Sequence, residues 1–147
     1  VYEKVVGELL AGQKRSHWMW FVFPQLHGLG ESPMAHKFAI SGREEAKAYI
    51  EHPILGDRLC ECSRLVIQID GASIQQIFGF PDYLKFRSCM TLVGEVDGAD
   101  NVFNAAGLAA ALMQLRRETC PPSRLTQPCA PMQKPEPSGS ITARWFR

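Results

Sequence analysis

The order of apolar and polar positions reads as helix along most of the chain. Tyr2, Val5, Val6, Leu9 and Leu10 recur at helical spacing, and Gly12 follows as a stop. Lys14-Arg15-Ser16 is a polar hinge. The stretch from His17 to Pro24 contains Trp18, Met19, Trp20, Phe21, Val22 and Phe23 and keeps neither a strand-like nor a helix-like period. It is expected to be buried on several sides. Gly28-Leu29-Gly30 and Ser32-Pro33 mark a loop, and Pro33 suits the first position of a short helix running through Phe38.

Ser41-Gly42-Arg43-Glu44 reads as a capping box, in which Ser41 accepts an orphan N–H and Glu44 reaches back. Ala46, Tyr49 and Ile50 then face inward. Pro53 opens the clearest helix, with Leu55, Leu59, Cys62, Val66 and Ile69 at alternating steps of four and three, closed by Asp70-Gly71. Ser73-Ile74-Gln75-Gln76 is a second capping box, ended by Gly79. Pro81-Asp82 starts another helix with Tyr83, Phe86, Met90 and Val93 on one face. Asp100 is expected to cap a last helix carrying Phe103, Ala106, Ala110 and Met113. Without a period-two strand or a hairpin signal, caps and stripes agree on an all-α fold: one compact domain of six to eight short helices.

Composition divides the chain. Residues 1–100 carry 10 Lys+Arg against 13 Asp+Glu, and residues 101–147 carry 6 against 2, so the overall charge of +1 describes neither part. Six of the ten prolines lie between Pro121 and Pro137, and 12 of 14 aromatic residues lie at or before Phe103. The expectation is a helical domain over 1–117 and a disordered, basic, Pro-rich tail over 118–147. No apolar run is long enough to span a membrane. The start, without Met and already inside a helical pattern, reads as a fragment or processed end. Five cysteines without CxxC spacing argue against a disulfide framework and a zinc site, because Cys60 and Cys62 point about 200° apart on a helix. A reducing cytoplasm is the expected compartment.

Three blocks carry a family resemblance. They are His17 to Leu26 with Gly28-Leu29-Gly30; His52-Pro53-Ile54-Leu55-Gly56-Asp57-Arg58-Leu59; and Ile77-Phe78-Gly79-Phe80-Pro81-Asp82 with Lys85, Arg87, Ser88, Met90 and Thr91. Together, over residues 2–103, they resemble the bacterial domain-of-unknown-function 1810 family, whose members often carry the label "calpastatin". The resemblance implies a compact all-helical domain and no established activity. Nothing in the chain is similar to the repeated inhibitor segments that the label describes. The family starts earlier, with a short helix absent here, has Ser where Cys89 stands, and ends in an aromatic- and Leu-rich segment. The abrupt shift after Phe103 reads as a change of reading frame near Asn104 to Gly107. That reading fails if no other frame of the coding DNA encodes such an end.

The candidate chemistry gathers around two blocks. Trp18 and Trp20 can stack a planar group, or simply plug the core. His17, an imidazole of the kind used for acid–base work, sits at the polar edge of the same block, and Gln25 can hold a ligand amide or cap a loop. His52 falls at a helix start, where satisfying backbone N–H groups is the default use. Arg58 flanks the apolar stripe, ready to pair with Asp57, Glu61 or Glu51 or to face an anion. Asp82, Lys85 and Ser88 align along one helix face, and Arg87 and Thr91 form the adjoining row. Cations beside hydroxyls near a helix start suit phosphate or carboxylate.

Gly28-Leu29-Gly30 is too short for a phosphate cradle. The spacing of His17, His27, His36 and His52 gives no metal-ligand set, and no cofactor motif is present. The expectation is a domain binding a small planar or anionic ligand in a Trp- and Arg/Lys-lined cleft. The alternative is a non-enzymatic protein-interaction module whose stacked helices form a groove. Nucleic-acid binding rests on the basic tail alone, and the partner is otherwise open.

Overall fold

Eight helices form among the described residues of a computed structural model, which describes residues 1–98 and 101–115, with side chains through residue 110. They are α1 (Tyr2–Leu10), α2 (Met19–Val22), α3 (Pro33–Lys37), α4 (Arg43–Glu51), α5 (Leu55–Gln68), α6 (Ile74–Phe78), α7 (Asp82–Asp97) and α8 (Val102–Leu115). The all-α expectation holds. The β structure among these residues is an isolated parallel bridge between Leu26 and Ile40. The tail over 118–147, the Asp100 cap, Cys120, Cys129 and the side chain of Met113 lie outside the described residues.

The apolar stripes face where their spacing predicts. Leu55, Leu59, Cys62 and Val66 of α5 are buried, as are Phe86, Met90 and Val93 of α7. Helix α5 packs against α1, α2, α4 and α8, while α7 packs against α2, α4, α6 and α8. Between them sits an aromatic cluster. Phe23 meets Phe86 edge-on at 4.9 Å, Phe78 stacks on Phe86 at 4.9 Å, and Trp18 closes the cluster against Phe23 at 6.3 Å. The unperiodic His17–Pro24 stretch is therefore short helix α2 with its flanks in the core: Trp18, Met19, Val22 and Phe23 are all buried.

Two local expectations are corrected. At α4 the N-cap is Gly42, and Glu45, not Glu44, accepts hydrogen bonds from both the N–H and the hydroxyl of Ser41, each at 2.7 Å. One residue further along, Glu45 returns over the helix start, where it satisfies the segment that enters the helix. Helix α5 begins at Leu55, so Pro53 sits in the turn before it. The start of α8 is capped by Asn101, whose side-chain oxygen accepts from the N–H groups of Phe103 and Asn104. The Ser73–Gln76 capping box forms as read. The α4–α5 corner depends on Gly56. A Cβ there would lie 1.8 Å from the backbone oxygen of Ile50, closer than any side chain can be tolerated.

Candidate functional site

The polar half of the molecule is organised by two carboxylates. Glu8 lies on the inner face of α1, only 8% exposed. It accepts from the N–H of Arg15 (2.7 Å), the N–H of Ser16 (3.1 Å), the hydroxyl of Ser16 (2.5 Å) and the indole Nε1 of Trp18 (2.7 Å). Burial opposes its ionisation, but the Ser16 hydroxyl, the two backbone donors and the indole outweigh it and bring the pKa down to about 2. Glu8 thus folds the hinge back onto α1 and fixes the orientation of Trp18. The Lys14 N–H, donating to the Ile77 carbonyl at 2.7 Å, ties the same hinge to α6.

Asp82, the first residue of α7, is the second centre. Lys14 Nζ reaches one carboxylate oxygen at 2.5 Å and Lys85 Nζ reaches the other at 2.7 Å. The side chains are only 7%, 15% and 20% exposed for Lys14, Asp82 and Lys85. Burial works against the charge on Asp82, yet the hydrogen bonds and charges of the two lysines hold its pKa below the ordinary carboxylate range. Each ammonium also lies over an indole: Lys14 at 5.5 Å from the Trp18 ring centre and Lys85 at 4.9 Å from that of Trp20. Such placement adds cation–π attraction of about 0.5–2 kcal/mol per pair. The cluster carries two positive charges for one negative. The Nε1–H of Trp20 is buried and finds no acceptor among the described residues.

These contacts sort the candidates read from the sequence. Trp18, Trp20, Asp82 and Lys85 come together, and Lys14 joins them. Trp18 serves the core as well, so the packing reading applies to it directly. Ser88 lies one turn beyond Lys85 on α7, half-buried, and His17 is exposed beside Trp18 in the chain. Arg87 and Thr91 are exposed in the adjoining row, where the Thr91 hydroxyl donates to the Arg87 carbonyl at 3.1 Å. Arg87 is thus not among the Asp82–Trp20 contacts, and Lys14 takes the place of the second cation. Gln25 belongs to the loop that bridges to Ile40, whose N–H donates to the Gln25 carbonyl at 2.8 Å. His52 caps α5: its Nδ1 accepts from the N–H groups of Ile54 and Leu55, at 3.2 and 3.3 Å.

Arg58 makes a different contact from the ion pair expected of it. Its guanidinium lies over the ring of Tyr2 at 4.6 Å, and the Tyr2 hydroxyl donates to Glu61 at 2.5 Å. Cys89 of α7 is fully buried, and burial raises its thiol pKa well above the ordinary value. A shallow depression of about 370 Å³ runs along α1, lined by Lys4, Gly7, Glu8, Ala11, Gln13 and Arg15. It includes Glu8 but none of Trp20, Asp82 and Lys85. Phe80, two residues before Asp82, is 82% exposed.

Lys14 and Glu8 are the residues that sequence reasoning passed over. Their one local signal was charge beside an apolar block: Glu8 in the first helix and Lys14 just ahead of the tryptophans. Among the described residues no helix is long and apolar enough to cross a membrane.

Comparison with known proteins agrees with the architecture. The model of the family described as "Protein of unknown function (DUF1810)" matches residues 1–112, which extends the resemblance past Phe103 and through most of α8. Among solved structures, the chain is similar to the conserved hypothetical protein Rv1873 from Mycobacterium tuberculosis. The two are 50% identical, with 79% of this chain and 78% of that chain covered and a TM-score of 0.66. No curated protein matches the chain.

Proposed function

The chain belongs to the DUF1810 family of proteins of unknown function, and from that footing we propose that it binds a small anionic molecule bearing a planar group at the Lys14–Asp82–Lys85 cluster. One observation carries the reading: two largely buried ammonium groups share a single carboxylate while resting on indole rings. Each ammonium has three donors, and Asp82 takes one from each. The unspent donors and the surplus positive charge favour a phosphate or carboxylate, the more so because they are partly withdrawn from water. Trp20, partly exposed, offers ring surface to a planar group, and the exposed Phe80 ring enters the chain just before the cluster. Ser88 and His17 would border the bound molecule.

The test is differential scanning fluorimetry with adenosine monophosphate, benzoate and inorganic phosphate at millimolar concentration. A compound with both ring and anion should raise Tm by several degrees, as ligand linkage requires. Lys85→Met keeps the aliphatic stem over Trp20 and removes the charge, so it should abolish that shift; Arg87→Ala should retain it. Full stabilisation in Lys85→Met, or none in the native chain, overturns the reading.

A further inference from the structure

Away from this cluster, two of the four histidines converge. His27 lies in the loop after α2 and His36 on α3, nine residues later, and their ring centres are 5.9 Å apart with the planes inclined at 54°. We propose that His27 and His36 form a two-imidazole site for a divalent transition-metal ion, its remaining positions filled by water. It is independent of the ligand site above.

The argument begins with the backbone. The His27 N–H donates to the Ile40 carbonyl at 2.8 Å, and the Ile40 N–H returns to the Gln25 carbonyl at 2.8 Å, so the base of the loop is pinned. The His36 N–H donates to Ser32 at 3.0 Å within a turn that the Ser32 hydroxyl caps through Ala35. Gly30 lets the loop close on α3, because a Cβ there would lie 2.7 Å from the Cβ of Ala35. Both rings are therefore held near each other by main-chain bonds on either side, and both face solvent.

Distance and chemistry fit the ion. A metal–nitrogen bond of about 2 Å places two imidazole centres roughly 5 Å apart at a tetrahedral angle and about 6 Å apart at a wide one. Neither imidazole has a hydrogen-bond partner among the described residues, so its nitrogen lone pair is uncommitted. Neutral imidazole suits nickel, copper and zinc. Among the described residues no third His, Cys, Asp or Glu completes a protein ligand set, which is why water must do so.

Nickel is the probe of choice, because the chain's thiols compete less for it than for zinc or monovalent copper. Isothermal titration of the full chain with Ni²⁺ at neutral pH should give one saturable site of micromolar strength. His27→Gln and His36→Gln should each weaken it about tenfold or more, and His17→Gln should not. Proton spectra of the native chain should lose the His27 and His36 ring signals first on adding the paramagnetic ion. Both substitutions are at exposed positions, and circular dichroism verifies that the variants remain helical. The inference is overturned if saturable binding is absent below millimolar Ni²⁺, or if either single variant binds as the native chain does.

Discussion

At the scale of single residues, buried carboxylates carry more of the structure than their number suggests. Glu8 accepts four hydrogen bonds, and its folded pKa of about 2 lies below the ordinary 4.5. A depressed value means that the charged form favours the fold. That contribution is complete above about pH 4.5 and disappears as pH falls toward 2. Glu8→Gln replaces one accepting oxygen by an amide donor that faces other donors. It should cost about 1–3 kcal/mol at neutral pH, read from urea denaturation. The difference between variant and native chain should shrink on acidification through this window. A difference that stays constant down to pH 2 would mean that shape, not charge, is what Glu8 supplies. Asp82 obeys the same logic, with the lysines as its partners in place of backbone donors. The Asp82–Lys85 half of that cluster was legible, because a spacing of three on a helix brings side chains together. The Lys14 half was not, because 68 positions separate Lys14 from Asp82 and only the folding of the hinge onto α6 closes that gap.

At the scale of elements, local sequence is a good guide to where helices lie and a weaker one to how they start. Ser73 and Gln76 bond reciprocally as their spacing demands. Ser41 takes Glu45 over Glu44, and which acid returns depends on the angle at which the chain enters the helix. Helix contacts are decided by approach. Gly56 sits in the first turn of α5, where the last turn of α4 leaves no room for a side chain. Gly56→Ala should therefore destabilise by about 1–3 kcal/mol, although alanine is the better helix former, because the clash is with backbone that cannot rotate away. Thermal denaturation with unchanged helical content below the transition would support this. A gain in Tm would show that the corner relaxes easily.

At the scale of the whole molecule, the core is built on the interlocked rings of Phe23, Phe78, Phe86 and Trp18, which touch α2, α6 and α7 together. Phe23→Ala should cost about 3–5 kcal/mol, near the top of the range for core truncations, because rings on three sides cannot all collapse into the void. Chemical denaturation with a preserved m-value would attribute the loss to packing alone. A loss below about 1 kcal/mol would mean the cluster repacks. The same cluster explains the tryptophans. One sequence block supplies a ring to the core and, two residues later, a ring to the polar surface beneath Lys85.

What the sequence determined by itself is what depends on near neighbours: the helical periods, the cap at Ser73, the inward faces of α5 and α7, and the membership signalled by three motif blocks. Those features arise from interactions within a turn or two, so their spacing is their cause. Which lysine completes the Asp82 cluster, that Arg58 rests on Tyr2 while Arg87 stays in solvent, and that His27 meets His36 across a closed loop were decided only by the tertiary structure. These depend on how separate helices are set against one another by the burial of the aromatic core, and no local pattern records that angle.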